Sequence, residues 1–186
     1  MRLSKLFAVI AFAALPVVAQ RIELDVDPAA TKVNWTLGDV LHTVHGTFKL
    51  KKSGMWFDPA SGQAGGLLVV DAASGESGSN ARDSRMHKNV LESARYPDIT
   101  FAPDRVEGAV ARTGDSQVKL HGIFTIHGGT HELLMNVKCH MEPHTLSATV
   151  FFTVPYVKWG MRDPSNFVLR VKKEVDIDIE AAGRIR

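Results

Sequence analysis

Eight histidines and one cysteine are the side chains of this 186-residue chain best suited to chemistry. His127-x3-His131 and His140-x3-His144 carry the spacing that sets two imidazoles on one helix face, where they can share a metal. The first pair, however, flanks Gly128-Gly129, a strong two-residue hairpin signal. Its members are therefore expected on opposite arms of a turn, and no carboxylate or cysteine joins them at ligand spacing. His42 and His45 fall on opposite faces of one strand if the local alternation holds. The sequence contains no Gly-x-Ser-x-Gly elbow, no Cys–His arrangement and no phosphate-cradling loop. Asp176 and Asp178 share the outward parity of the last apolar strand and read as a solvated face. The expectation is a protein with no catalytic residues and no specific metal site.

The elements that must position these residues are strands. Val33, Trp35 and Leu37 alternate with Asn34 and Thr36, and Val44, Gly46, Phe48 and Leu50 alternate with Thr43, His45, Thr47 and Lys49. Leu67 to Val70 and a segment led by Ile99 and Phe101 add two more. Val118, Leu120, Gly122, Phe124 and Ile126 share one face of a longer strand. Its return strand places His131, Leu133, Met135, Val137 and Cys139 together. Leu146, Ala148, Val150 and Phe152 alternate next, and Val175, Ile177 and Ile179 close the series. Eight such strands predict an all-β domain, an antiparallel sheet with one dry face that closes into a barrel or folds into a sandwich. Cys139, on the apolar parity of its strand, is expected to be a buried, inert thiol.

One stretch breaks the alternation. Asn80 followed by Asp83 resembles a capping box, and Arg82, Met86 and Val90 recur at spacing four, which predicts a short helix over residues 81–92. It must end before Tyr96-Pro97, because proline holds its predecessor extended. The Gly/Ser-rich run from Ala73 to Ser79 leads into it.

The first nineteen residues read as an export signal. Arg2 and Lys5 precede ten apolar residues, Leu6 to Leu15, then Pro16 and the small-residue site Val17-Val18-Ala19, with cleavage expected after Ala19. Ten apolar residues are too few for a bilayer, which takes about 20. Residues 20–186 then form one domain, expected in the periplasm or secreted, with no stable membrane insertion. Removing Arg2 and Lys5 from 22 basic residues leaves 20, equal to the 20 acidic ones. That neutrality argues against a nucleic-acid partner. A lone cysteine rules out an intramolecular disulfide; whether two barrels associate as a homodimer is left open.

An ordered set of motifs along the chain resembles the YceI-like family of exported polyisoprenoid-binding proteins. The set comprises Asp27-Pro28 with Thr31, Val33 and Trp35; His42, Val44, Gly46 and Phe48; and Asn80, Arg82, Asp83, Met86, Val90 and Leu91 running into Tyr96-Pro97 and Ile99 to Phe101. It continues with Gly122 to Thr130, Trp159-Gly160-Met161 with Pro164-Ser165, and the final valine-rich strand. The chain departs from the family at His131-Glu132, where a proline is common.

The resemblance implies an eight-stranded antiparallel lipocalin-like β-barrel with one short helix in a long connection. It also implies that an isoprenoid or similar long apolar lipid lies lengthwise inside, with no cofactor beyond that lipid. An eight-stranded barrel can hold one small ligand. Candidate lining residues are Trp35, Phe48, Phe101, Phe124, Met135, Val150 and Phe152, with Arg82 and Tyr96 near the helix as candidates for a ligand headgroup. Parity does not separate a cavity wall from a filled core, so these residues either touch ligand or pack the barrel floor, and Arg82 either meets ligand or holds the helix. The functional expectation is carriage, storage or scavenging of lipid. The alternative is a periplasmic enzyme or metal binder using the His127/His131 rim.

Overall fold

Alternation along the chain becomes a closed barrel wall in the computed structural model, which describes residues 21–38, 42–167 and 170–186. The export signal expected over residues 1–19 lies outside the described residues. Nine strands form the wall: β1 (Ile22–Val26), β2 (Lys32–Gly38), β3 (Thr43–Phe57), β4 (Ala64–Glu76), β5 (Asp98–Glu107), β6 (Gly114–Ile126), β7 (Gly129–Met141), β8 (Thr145–Val154) and β9 (Val175–Ile185). Every pairing is antiparallel, in the order β1-β3-β2-β9-β8-β7-β6-β5-β4, and β4 pairs back onto β3 to close the ring.

Nine strands occupy eight positions. β1 pairs with the end of β3, Ile22 opposite Phe57, and with the end of β9, Leu24 opposite Ile185. β2 fills the rest of the same gap, pairing Val33 with Phe48 on one side and with Ile179 on the other. The turn between them is set by Asp27, whose side-chain Oδ1 accepts the Ala29 N–H at 2.8 Å. The barrel therefore has the eight staves expected, with one stave made of two consecutive pieces. Pro103, which cannot donate to a ladder, sits where the β5–β6 register shifts.

The tightest hairpin differs by one residue from its sequence reading. Ile126 pairs with Gly129, so the two turn residues are His127 and Gly128, with φ of 52° and 74°. Both central residues of such a turn need positive φ. His127 accordingly lies within the turn and not on a strand arm.

The helical stretch also shifts. An α-helix, α1 (Asn80–Arg85), starts one residue early, with Ser79 at the N-cap and no side-chain cap. Asp83 does not close a box with Asn80: its carboxylate accepts the Ser77 hydroxyl proton. The helix then widens into a π-helical turn, Met86–Val90, and ends at Leu91, whose N–H reaches Met86 O at 2.9 Å. His87 fastens it to the wall. Its Nε2 donates to the Gly75 carbonyl at 2.8 Å and its Nδ1 accepts from Ser93 Oγ at 3.2 Å, partners that fix the tautomer.

Candidate functional site: an apolar cavity in the barrel

The inward parity of each strand converges on a cavity of about 180 Å³. Val33 of β2, Phe101 of β5, Val118, Leu120 and Phe124 of β6 and Met135 and Val137 of β7 are buried and line it. Val150 and Phe152 of β8 complete that wall. Among the lining residues only Thr31, Thr100 and Cys139 have polar side chains, and none is charged. An apolar void of this kind stays dry, because water entering it finds no hydrogen-bond partners.

Buried apolar residues gather toward both ends of the cavity. At the end where β3 finishes and β4 begins, Phe57, Ala64 and Met141 form a buried floor with Leu24 and Leu146 against it. At the other end lie Leu91, Tyr156 and Met161, with Met86, Val90 and Trp159 packed against the same core. Tyr156 is held there by its hydroxyl, which donates to the Lys172 carbonyl at 2.8 Å. Burial pushes its phenol up to about 12, with the Asp163 carboxylate adding to the shift, so it remains a neutral donor.

An aromatic ladder joins the cavity to this second end. Phe152 meets Phe124 edge-on with ring centres 5.8 Å apart, and Phe124 meets Trp159 at 5.9 Å. Trp159 in turn stacks flat on His131, 3.8 Å away and 8° from parallel.

Five of the nine sequence-predicted site residues line the cavity: Phe101, Phe124, Met135, Val150 and Phe152. The other four lie outside that lining. Trp35 is buried, 4 % exposed, with its indole against Gly46. Phe48 lies over Gly75, as does the Met86 methyl of the helical stretch. Arg82 is exposed and spends its guanidinium on Ser77, donating from Nε to the hydroxyl at 2.7 Å and from Nη2 to the carbonyl at 3.0 Å. Tyr96 lies against the β6–β7 turn, its ring 4.7 Å from that of His127, with the Arg95 guanidinium 5.0 Å from its face.

Sequence reading missed Leu24 and Val26 of β1, which it did not recognise as a strand, and Met55 beyond the β3 bulges. The signal was present in Ile22, Leu24 and Val26, a short alternation beside the expected signal-cleavage site.

The histidines have separate surroundings. His127 faces Glu92, 3.5 Å from Nε2 to Oε1, while His131 stacks on Trp159 inside the wall. His140 is held between Asp115 at 2.7 Å and Glu142 at 3.3 Å. His42 precedes β3 and is not on a strand, whereas His45 pairs with the Thr36 hydroxyl at 3.1 Å. Among the described residues no group of three or more His, Cys, Asp or Glu side chains could hold a metal ion. Also among them, no helix is long and apolar enough to cross a membrane.

An eight-position antiparallel barrel with an apolar interior and a helical connection over one end defines the chain as a lipocalin-like β-barrel protein. Its sequence matches the YceI-like domain over residues 24–182, and the chain belongs to that family. Solved structures agree in fold. BcnA of Burkholderia cenocepacia superposes with a TM-score of 0.70 at 19% identity, covering 85% of this chain and 99% of that one. A polyisoprenoid-binding domain from Saccharophagus degradans, implicated in plant cell wall breakdown, gives 0.72 at 14% identity, covering 88% and 98%. The YceI protein of Campylobacter jejuni gives 0.55 at 15%, covering 75% and 80%. No curated protein matches the chain.

Proposed function

We propose that this protein is an exported lipid-binding protein that holds an isoprenoid or a similar long apolar chain in its barrel, for carriage, storage or scavenging. The observation that carries this reading is the cavity itself, enclosed by strands and lined by no charged side chain. Phe101, Phe124, Met135, Val150 and Phe152 form its contact surface with the lipid. The barrel of Saccharophagus degradans, of the same fold, is a polyisoprenoid-binding domain, which supports the same class of cargo here. The Arg2, Lys5 and Leu6 to Ala19 pattern supports export.

The energetics favour such a cargo. Each methylene transferred from water contributes about 0.8 kcal/mol, so several branched units outweigh the entropy lost when the chain is ordered. The interior competes well with water and less decisively with a membrane, as a carrier requires. Delipidated protein titrated with geranylgeraniol tests the reading through tryptophan emission. Saturable one-to-one binding is expected, and a strictly linear, non-saturating response would refute it.

A further inference from the structure

The barrel wall is not laddered to the same height all round. At the end carrying the helical stretch, β6 and β7 pair up to Ile126–Gly129, and β8 and β9 pair up to Val154–Val175. Between these two hairpins the β7–β8 ladder stops at Asn136 and Phe151. Continuing its register would set Met135 opposite Phe152 and Leu134 opposite Thr153, and neither pair forms. Residues 129–135 of β7 and 152–154 of β8 are therefore facing strand edges without a ladder between them. Closing a barrel normally removes such edges.

The outward side chains beside this opening are apolar. Leu134 is 51 % exposed and Phe151 59 %, two of the four large apolar side chains exposed among the described residues. Behind the opening stands Trp159. Its ring stacks on His131 of β7 at 3.8 Å and lies 5.9 Å from Phe124, which meets Phe152 of β8 at 5.8 Å. Trp159 belongs to a turn, its N–H donating to the Pro155 carbonyl at 3.1 Å, and Gly160 follows it with φ of 90°. Swinging its ring aside breaks ring contacts and no ladder hydrogen bond.

A long apolar chain needs a way into the cavity that leaves the sheet intact. Building on the lipid-carrier reading, we infer that the β7–β8 opening is a lateral portal: the lipid tail passes between Leu134 and Phe151, with Trp159 as the gate. The path is apolar throughout. It leads from the two exposed lips past the Trp159 ring to Phe124 and Phe152, which line the cavity. A tail threading it exchanges one apolar surface for the next and is never fully returned to water. The β4–β5 ladder also breaks, between Leu68–Phe101 and Gln63–Arg105, but there it is tied on both sides. The β7–β8 opening is tied only below.

Transfer of tritiated geranylgeraniol from neutral phosphatidylcholine vesicles into the delipidated protein, and back into excess vesicles, tests the portal. A residue on the path but outside the cavity changes both rates by one factor and leaves Kd unmoved. The double variant Leu134→Lys/Phe151→Lys sets two hydrated ammonium groups on the exposed lips, away from the core. It should slow uptake and release alike, by about tenfold. Trp159→Ala should speed both, and Trp159→Phe should restore most of the barrier; the lip variant carries the test by itself if Trp159→Ala unfolds. Leu67→Lys, exposed beside the β4–β5 break, should leave both rates as they are. Unchanged rates in the lip variant, or equal slowing by Leu67→Lys, overturn the portal. So does a lip variant that alters Kd by as much as it alters uptake. Absence of saturable uptake by the unaltered protein overturns the carrier reading itself.

Discussion

The indole of Trp35 rests directly on the backbone of Gly46, its partner across the β2–β3 ladder. A Cβ added at position 46 would stand 2.3 Å from Trp35 Cε2 and Cζ2 and 2.2 Å from the Glu76 carbonyl oxygen. Glycine is required here by close approach, since real Cβ contacts do not reach such distances. Gly46→Ala must therefore push the indole or the β4 end outward. We expect a loss of about 2–3 kcal/mol, measured as a lower denaturant midpoint at unchanged slope.

Phe151 and Phe152 are adjacent in sequence and opposite in environment. Phe151 is 59 % exposed, while Phe152 lines the cavity and meets Phe124 edge-on. Phe151→Ala should change stability by no more than about 0.5 kcal/mol. Phe152→Ala should cost about 2 kcal/mol or more and enlarge the cavity. Thermal denaturation of the two variants side by side checks the inward parity of β8, and equal effects would contradict it.

Cys139, expected to be buried, is half-buried; it lines the cavity, opposite Ala148 on β8. Burial pushes its thiol above the ordinary cysteine value, and the nearby Asp115 carboxylate adds to the shift. At neutral pH it is held as the unreactive thiol, because the thiolate is the nucleophile. Alkylation by iodoacetamide at pH 7.5 should be at least about tenfold slower in the folded protein than in denaturant. Lipid loading should slow it further, as cargo would cover the sulfur.

His140 titrates above the ordinary imidazole value of 6.5, because it is hydrogen-bonded to Asp115 first and Glu142 second. A raised folded-state value means that protonation favours the folded form. Its contribution is complete below about 6.5 and is lost as the pH climbs through the raised value. A proton NMR titration should place the His140 midpoint in the folded protein above its own midpoint in the denatured chain. Asp115→Asn should lower that midpoint, and an unmoved midpoint would remove Asp115 as the cause.

Much of the barrel was legible in the chain. Period-two alternation assigned the inner faces of β6 and β7 correctly from Val118 to Ile126 and from Met135 to Cys139, because a strand offers only two faces. Height along the barrel axis leaves no such mark. Trp35 and Val33 have the same parity, yet only Val33 lines the cavity, since the difference is two steps along one strand. β1 escaped notice because its five residues gain their place by pairing with Met55 and Gly183, far away in sequence. The hairpin slipped by one residue because Gly128-Gly129 and His127-Gly128 both offer positive φ, and only the cross-strand register chooses between them. His87, which ties the helical stretch to Gly75, carried no motif at all.

Native mass spectrometry of the freshly purified, undenatured protein reads out whether an apolar chain occupies the barrel. Besides the bare chain, the spectrum should contain a one-to-one adduct that organic extraction identifies as a prenyl or comparably long apolar lipid. Ala148→Phe, which projects a ring into the cavity from its wall, should abolish that adduct while leaving the β-sheet circular dichroism intact. A bare protein mass in every preparation, or an adduct that Ala148→Phe leaves undiminished, would mean that no lipid is held in the barrel.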